Sequence, residues 1–198
     1  MSDALDFARR QLDDSARVHA LLAPLAPLLA EIGGRTAEAF KAGGRAYFFG
    51  NGGSAADAQH WAAELSGRFY IDRPALPAFA LTTNASQLTA IANDYGYDAA
   101  FARPIRGMAG PGDVVVGITT SGRSPNVLLG LEAARERGAL TIGFTGRGTD
   151  EMTAACDYVV EIPSDDTPRI QEGHALCGHV FCAIVERLVF GGEGSGDG

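Results

Sequence analysis

Lysine is all but missing from this chain. Lys41 stands alone, and 24 Asp and Glu residues outnumber the 16 Lys and Arg, for a formal net charge of −8 at pH 7 and a pI near 4.9. A protein that tracks a nucleic-acid backbone carries a basic patch or stripe, so the charge balance argues against a nucleic-acid partner. Any phosphate group the protein holds must be met by helix starts and hydroxyls rather than by lysines. No Gly-Lys-Ser or Gly-Lys-Thr occurs, which excludes a P-loop. Cysteine is scarce and odd in number: Cys156, Cys177 and Cys182 fall on apolar stretches, which argues against a disulfide framework and for core positions in a reducing compartment. No continuous run approaches the roughly 18 apolar residues of a membrane span. The opening MSDALDFARRQLDD has no apolar core of a secretion signal. These absences lead to the expectation of a cytoplasmic protein with no membrane partner.

What is present suffices for one globular domain: 198 residues, of which 46% are hydrophobic. Residues 3–42 carry apolar positions at helical spacing (Leu5, Ala8, Leu12, Ala16, Leu21, Leu22, then Leu25, Leu28, Leu29, Ile32), broken near Pro24 and Pro27. They read as two helices, available for self-association. Five short apolar runs follow: Ala46–Phe49, Pro77–Leu81, Val114–Ile118, Leu140–Phe144 and Tyr158–Ile162. Each is continuous rather than alternating, and helical patterns separate them. That combination predicts an α/β fold, a doubly wound five-stranded parallel sheet flanked by helices, with an N-terminal helical segment. Arg169–Phe190 has helical spacing, and GGEGSGDG from Gly191 onward reads as a disordered tail. The expected organisation is a single domain over 1–190 and a tail over 191–198.

The stretch RAYFFGNGGSAADAQHWAAE, residues 45–64, organises the rest. A buried strand runs into Gly50-Asn51-Gly52-Gly53, and Ser54, three residues before Asp57, reads as a capped helix start. Glycines let the backbone approach an anion, and a helix start offers unpaired N–H groups and a positive dipole end. On the same helix His60 and Glu64 lie four residues apart on one face, either as a solvated pair or as half of a metal or acid–base site. A second loop, Thr119-Thr120-Ser121-Gly122-Arg123-Ser124-Pro125-Asn126, combines hydroxyls with Ser124 as helix cap and Pro125 in the first helical position. Two such loops after strands of one parallel sheet favour a phosphoester site over a merely capped Ser/Thr-rich turn. Gly50-x-Gly52-x-x-Ala55 also fits the dinucleotide fingerprint, but the second strand ends in Thr82-Thr83-Asn84, with no acid for a ribose hydroxyl. A second half for a metal site is available among Gln171, Glu172, His174 and His179. Spacing pairs Gln171 with His174, one turn on, and does not choose between the two histidines.

Taken together, GNGGSAADAQHWAAELSGRF, AIANDYGYD (Ala90–Asp98), TTSGRSPNV (Thr119–Val127) and PRIQEGHALCGH (Pro168–His179) resemble the sedoheptulose 7-phosphate isomerases, within the wider sugar isomerase (SIS) domains. The likeness spans nearly the whole chain with its motifs in order. It implies a SIS-type, flavodoxin-like sandwich and a ketose–aldose isomerase that makes D-glycero-D-manno-heptose 7-phosphate through an enediol, for heptose biosynthesis. It further implies one zinc ion per subunit on His60, Glu64, Gln171 and His179, thus selecting His179. Substrate contacts map onto Asn51, Gly52, Gly53, Ser54, Glu64, Asn93, Asp94, Thr119, Thr120, Ser121, Ser124 and Gln171, with Glu64 and His179 catalytic. The resemblance also implies a homotetramer with sites at subunit interfaces. Thr119 stands where a serine is common, and Pro168 where some members have an aspartate. A different class shares the fold: a non-catalytic protein that binds a phosphosugar or the replication initiator.

Overall fold

The computed structural model describes residues 2–148 and 150–191. The chain begins with α1 (Ser2–Ala20), a short 3-10 turn at Ala23–Leu25 and α2 (Ala26–Lys41). Then follow β1 (Ala46–Gly50), α3 (Gly53–Ser66), β2 (Ala78–Ala80), α4 (Ala85–Tyr95), a 3-10 turn at Tyr97–Ala99 and α5 (Ala102–Met108). The second half runs β3 (Val114–Ile118), α6 (Pro125–Glu136), β4 (Leu140–Thr145), α7 (Asp150–Ala155), β5 (Tyr158–Glu161) and α8 (Thr167–Phe190). Each strand falls on one of the five apolar runs. Gly191 closes α8, its N–H donating to the Arg187 carbonyl. The tail expected beyond it, 192–198, lies outside the described residues.

All strand pairs are parallel, in the order β2-β1-β3-β4-β5. Such a sheet is buried on both faces, which explains runs without alternation. Phe48, Val116, Ile142 and Val160 join one core with Trp61, Leu65, Phe181 and Val185, under α2, α3 and α8. Tyr47, Phe49 and Val115 join the other, with Phe101, Ile105, Val127, Leu131 and Met152. Fully burying each large side chain contributes about 1.5–3 kcal/mol. The chain changes direction across the sheet between β1 and β3, the switch point where sheets of this order bind ligands beyond the carboxyl ends of their strands.

The N-terminal helices break at the expected prolines, but their apolar positions fare differently. Leu29 and Ile32 of α2 are buried, whereas Leu5, Phe7 and Leu12 of α1 are 52%, 57% and 71% exposed. On the inner side of α1, Gln11 is gripped by the buried Arg169 of α8, whose Nη1 donates to its carbonyl at 2.9 Å. Two stretches, Asp3–Lys41 and Thr167–Phe190, reach the length and mean hydropathy of a membrane span. The first is interrupted between α1 and α2, and the second combines the face of α8 that covers the sheet with the exposed Leu176, Val180 and Leu188. Cys177 and Cys182 are buried in that same core, Cys156 is half-buried, and all three are free.

Candidate active site

The first loop differs from its expectation in one respect. Helix α3 starts at Gly53 with Gly52 as its cap and no side-chain cap bond, so Ser54 and Asp57 form no capping box. Gly52, at φ 57° and ψ −120°, turns the chain into the helix before Ser54 is reached, and only glycine adopts that conformation without strain. Ser54 is therefore a buried first-turn residue facing the pocket. Asp57 is half-buried, and burial pushes its carboxyl up to about 6 against the pull of His60.

The second loop holds the expected cap in position but not in bonding. Ser124 precedes Pro125 at the start of α6, yet its hydroxyl makes no cap bond; it lies 2.9 Å from Thr119 Oγ1, which also meets Ser121 Oγ at 3.3 Å. No side chain caps the start of α6, where Pro125 has no N–H and the Val127 and Leu128 N–H groups donate to the Ser124 carbonyl, and the three hydroxyls form one chain. Asn51, Ser54, Thr119, Thr120, Ser121, Ser124 and Gln171, with Ile118, line a pocket of about 80 Å³ at the ends of β1 and β3. Asn93 and Asp94 are not among these groups. They lie exposed in the last turn of α4, where Asn93 Nδ2 donates to Asp94 Oδ1 at 2.8 Å.

Two residues outside the expected set tie the loops together. Asn51 and the buried Asn126 form a reciprocal amide pair at 2.9 and 2.8 Å, and the Tyr97 hydroxyl donates to Asn51 Oδ1 at 3.0 Å. Both lie inside stretches that carry the family resemblance, but no spacing rule points from either to Asn51.

One to two turns further along α3 and α8 lies a cluster of three ionisable side chains. His60 Nε2 and His179 Nε2 are 2.8 Å apart, and Glu64 Oε1 is 3.5 Å from His60 Nε2. The approach of the two helices depends on Gly178, because a Cβ there would lie 2.0 Å from the Trp61 ring. His174 is fully buried, edge-on to Phe144, and burial pushes its pKa down to about 4, with a Thr145 backbone group opposing. At about 100° per residue, His174 and His179 lie about 140° apart on α8. One faces the core and the other faces His60. Gln171 sits at the pocket end instead, its amide against Gly53, where a Cβ would come 2.4 Å from Nε2.

Two imidazoles, a carboxylate and an amide suit a divalent ion in kind. Among the described residues no group of three or more His, Cys, Asp and Glu is spaced to hold one as it stands. Two nitrogens on a tetrahedral ion at ~2.1 Å would stand roughly 3.4 Å apart, farther than the 2.8 Å between His60 Nε2 and His179 Nε2.

A second anchor, absent from any motif reading, fixes the backbone beside the cluster. Glu186 of α8 accepts from the backbone N–H groups of Phe69, Tyr70 and Ile71 and from Arg73 Nε at 2.9 Å. Burial raises the Glu186 carboxyl, but these donors outweigh it and hold the group below the usual carboxylate range. Arg73 Nη2 in turn donates to the Glu64 carbonyl at 2.8 Å. A larger hollow of about 570 Å³ opens between Arg35, Asp113, Arg135 and Asp157, at the amino ends of the strands. Both of its aspartates are spent on the fold, Asp113 on the Arg45 and Gly110 N–H groups and Asp157 on Thr141, and its third carboxylate, Glu38, lies exposed on α2. The small polar pocket is therefore the candidate site.

A family model described as SIS domain matches residues 15–146. Over 192 residues the chain is 48% identical to the phosphoheptose isomerase of Trichlorobacter lovleyi, covering 95% of this chain and 98% of that protein. The chain belongs to the phosphoheptose isomerase family. It is also 51% identical over 165 residues to the Rhodospirillum rubrum phosphoheptose isomerase, covering 83% and 88% of the two chains. The solved phosphoheptose isomerase of Francisella tularensis matches with a TM-score of 0.90 at 31% identity over 93% of this chain and 98% of that one. That of Neisseria gonorrhoeae matches at 0.86 and 36% over 92% and 98%. These two phosphoheptose isomerases thus share this fold over more than nine-tenths of the chain.

Proposed function

We propose that the protein isomerises sedoheptulose 7-phosphate to D-glycero-D-manno-heptose 7-phosphate. The observation that carries this reading is the convergence of His60, Glu64 and His179 beside a hydroxyl-lined pocket, in a chain that aligns over 95% of its length with a phosphoheptose isomerase. Ketose–aldose isomerisation moves one proton between adjacent carbons and another between their oxygens. It needs a base at the carbon, a donor–acceptor at the oxygens and a grip on the far end of the sugar.

The pocket supplies the grip. Ser54, Thr119, Thr120, Ser121 and Ser124 meet the phosphate with hydroxyls, and the backbone N–H groups of Gly53 and Asn126, in the first turns of α3 and α6, add donors. No lysine is required, in keeping with the acidic chain. Glu64 takes the proton from the carbon beside the carbonyl and returns it to the neighbouring carbon through the enediol. His179 passes the proton between the two oxygens. His60, Glu64, Gln171 and His179 would hold one zinc ion per subunit, which when bound supplies polarisation of the substrate carbonyl. Asn93 and Asp94 stand apart from the pocket of their own chain and are assigned to a neighbouring subunit's site in a homotetramer. Supporting that assembly are the exposed Leu5, Phe7 and Leu12 of α1 and Leu176 and Val180 of α8. Three unpaired thiols suit the cytoplasm.

The test is NMR in deuterated water with sedoheptulose 7-phosphate, on protein whose zinc content and light-scattering mass are measured in the same sample. Wild type should form the aldose phosphate with deuterium at the carbon next to the carbonyl. Glu64→Gln should lose activity by about 10²–10⁴-fold, the range for a removed general base. Turnover intact in Glu64→Gln at wild-type zinc content would remove the base assignment, and a monomeric mass would remove the shared site.

A further inference from the structure

Asn51 reaches the pocket with most of its hydrogen-bonding capacity already spent. A carboxamide has two acceptor positions on oxygen and two N–H donors on nitrogen. Both positions on Asn51 Oδ1 are taken, by Asn126 Nδ2 at 2.8 Å and the Tyr97 hydroxyl at 3.0 Å. One N–H goes to Asn126 Oδ1 at 2.9 Å, and one remains. The two partners are themselves fixed. Asn126 is 2% exposed, directly after Pro125 in the first turn of α6, where a buried amide has to find partners. Tyr97 is delivered by Gly96 at φ 85°, which turns the chain out of α4 and back over the β1 loop.

We infer that Tyr97 and Asn126 are positioning residues that lock the Asn51 carboxamide in one orientation, so that it meets the sugar phosphate solely as a donor of one N–H to a substrate oxygen. The inference rests on the sugar-phosphate reading of the pocket. It also assigns a purpose to the amide pair: the loops after β1 and β3 are joined through a side chain that itself lines the pocket between them. A free asparagine can present either its oxygen or its nitrogen, whereas this one rejects a donor at that position.

The experiment is a mutant cycle of Tyr97→Phe, Asn126→Ala and Asn51→Ala on the full-length, metal-loaded protein. It has two readouts: kcat/KM with sedoheptulose 7-phosphate and calorimetric Kd for the same compound in the Glu64→Gln background. Tyr97→Phe removes one hydroxyl from a ring that is 49% exposed. It should lower kcat/KM by about 5–10-fold, the scale of one neutral hydrogen bond, with an unchanged thermal midpoint. Asn126→Ala should cost roughly 30-fold, since both of its bonds go. In the Asn51→Ala background each effect should shrink to less than about twofold, because the two residues act through Asn51. The same fold-loss in both backgrounds would show a structural role and overturn the inference. If Asn126→Ala does not fold, the Tyr97→Phe arm decides alone. An enzyme that binds the sugar phosphate without turning it over would sink the isomerase reading and leave the Kd cycle to decide this one. Neither binding nor turnover by wild type would overturn both.

Discussion

At the ends of β1 and β3 the polar side chains already hold one another. Asn51 is paired with Asn126 and Tyr97, and Thr119 with Ser121 and Ser124. On the facing sides of α3 and α8 the three ionisable groups share one short contact and one long one. Their precision comes from behind: Trp61 seated against Gly178, and Arg73 bridging the Glu64 carbonyl to the Glu186 carboxylate. With the first region gripping the phosphate and the second moving the proton, as proposed, the difference follows the chemistry. A phosphate is one fixed shape and is best met by donors that do not reorganise, whereas a proton shuttle needs lone pairs and protons that are not committed to the fold.

That contrast can be broken first at the anchor. The Arg73 and Glu186 side chains are 2% and 3% exposed, and removing one member of a buried pair leaves the other charge unpaired. Arg73→Met should destabilise the protein by about 3–5 kcal/mol in denaturant unfolding. The loop over 67–73 should become the fastest-exchanging backbone by hydrogen exchange, while the β1 and β3 loops keep their protection. Uniform loss of protection in both regions would show that they are not independently supported.

A smaller effect sharpens the division along α8 itself. His174 has a folded pKa near 4 against an ordinary 6.5. Below pH 6.5 the unfolded chain takes up a proton that the folded one refuses. Stability tied to His174 is therefore complete above about pH 6.5 and lost as the pH falls towards 4, by at most about 3 kcal/mol. His174→Leu should flatten this part of the stability curve without changing zinc content. A large drop in zinc would instead place His174 in the reactive cluster.

The smallest stability change should come at the seam between the two regions. Gly53→Ala puts a methyl 2.4 Å from the Gln171 amide, the end of a flexible side chain, which can move aside. Stability should change by less than about 1 kcal/mol, while kcat/KM falls by about tenfold as Gln171 leaves the pocket. Unchanged kinetics would show that Gln171 is not needed where it sits.

Much of this was legible in the linear chain. The five strands, the helical N-terminus and both loops follow from local apolar runs, glycine and proline, because those signals act over a few residues. The misreading at Ser54 has a local cause too: the Ser-x-x-Asp pattern is a capping signal only when no earlier glycine starts the helix, and Gly52 does. What stayed hidden involves partners far apart in sequence. Glu186 meets Arg73 across 113 residues, and Asn126 meets Asn51 across 75.

The sequence by itself therefore determined the class of fold, the glycine- and hydroxyl-rich loops that follow the first and third strands, and the His60–Glu64 pairing on one helix face. Only the tertiary structure decided that β1 and β3 lie side by side, so that their loops share one pocket. It also decided which histidine of α8 is sealed in the core and which stands against His60. The reason is geometric: helical spacing says which residues share a face, but which face meets the sheet depends on how α8 packs against α3, and that rests on the space left by one glycine beneath one tryptophan.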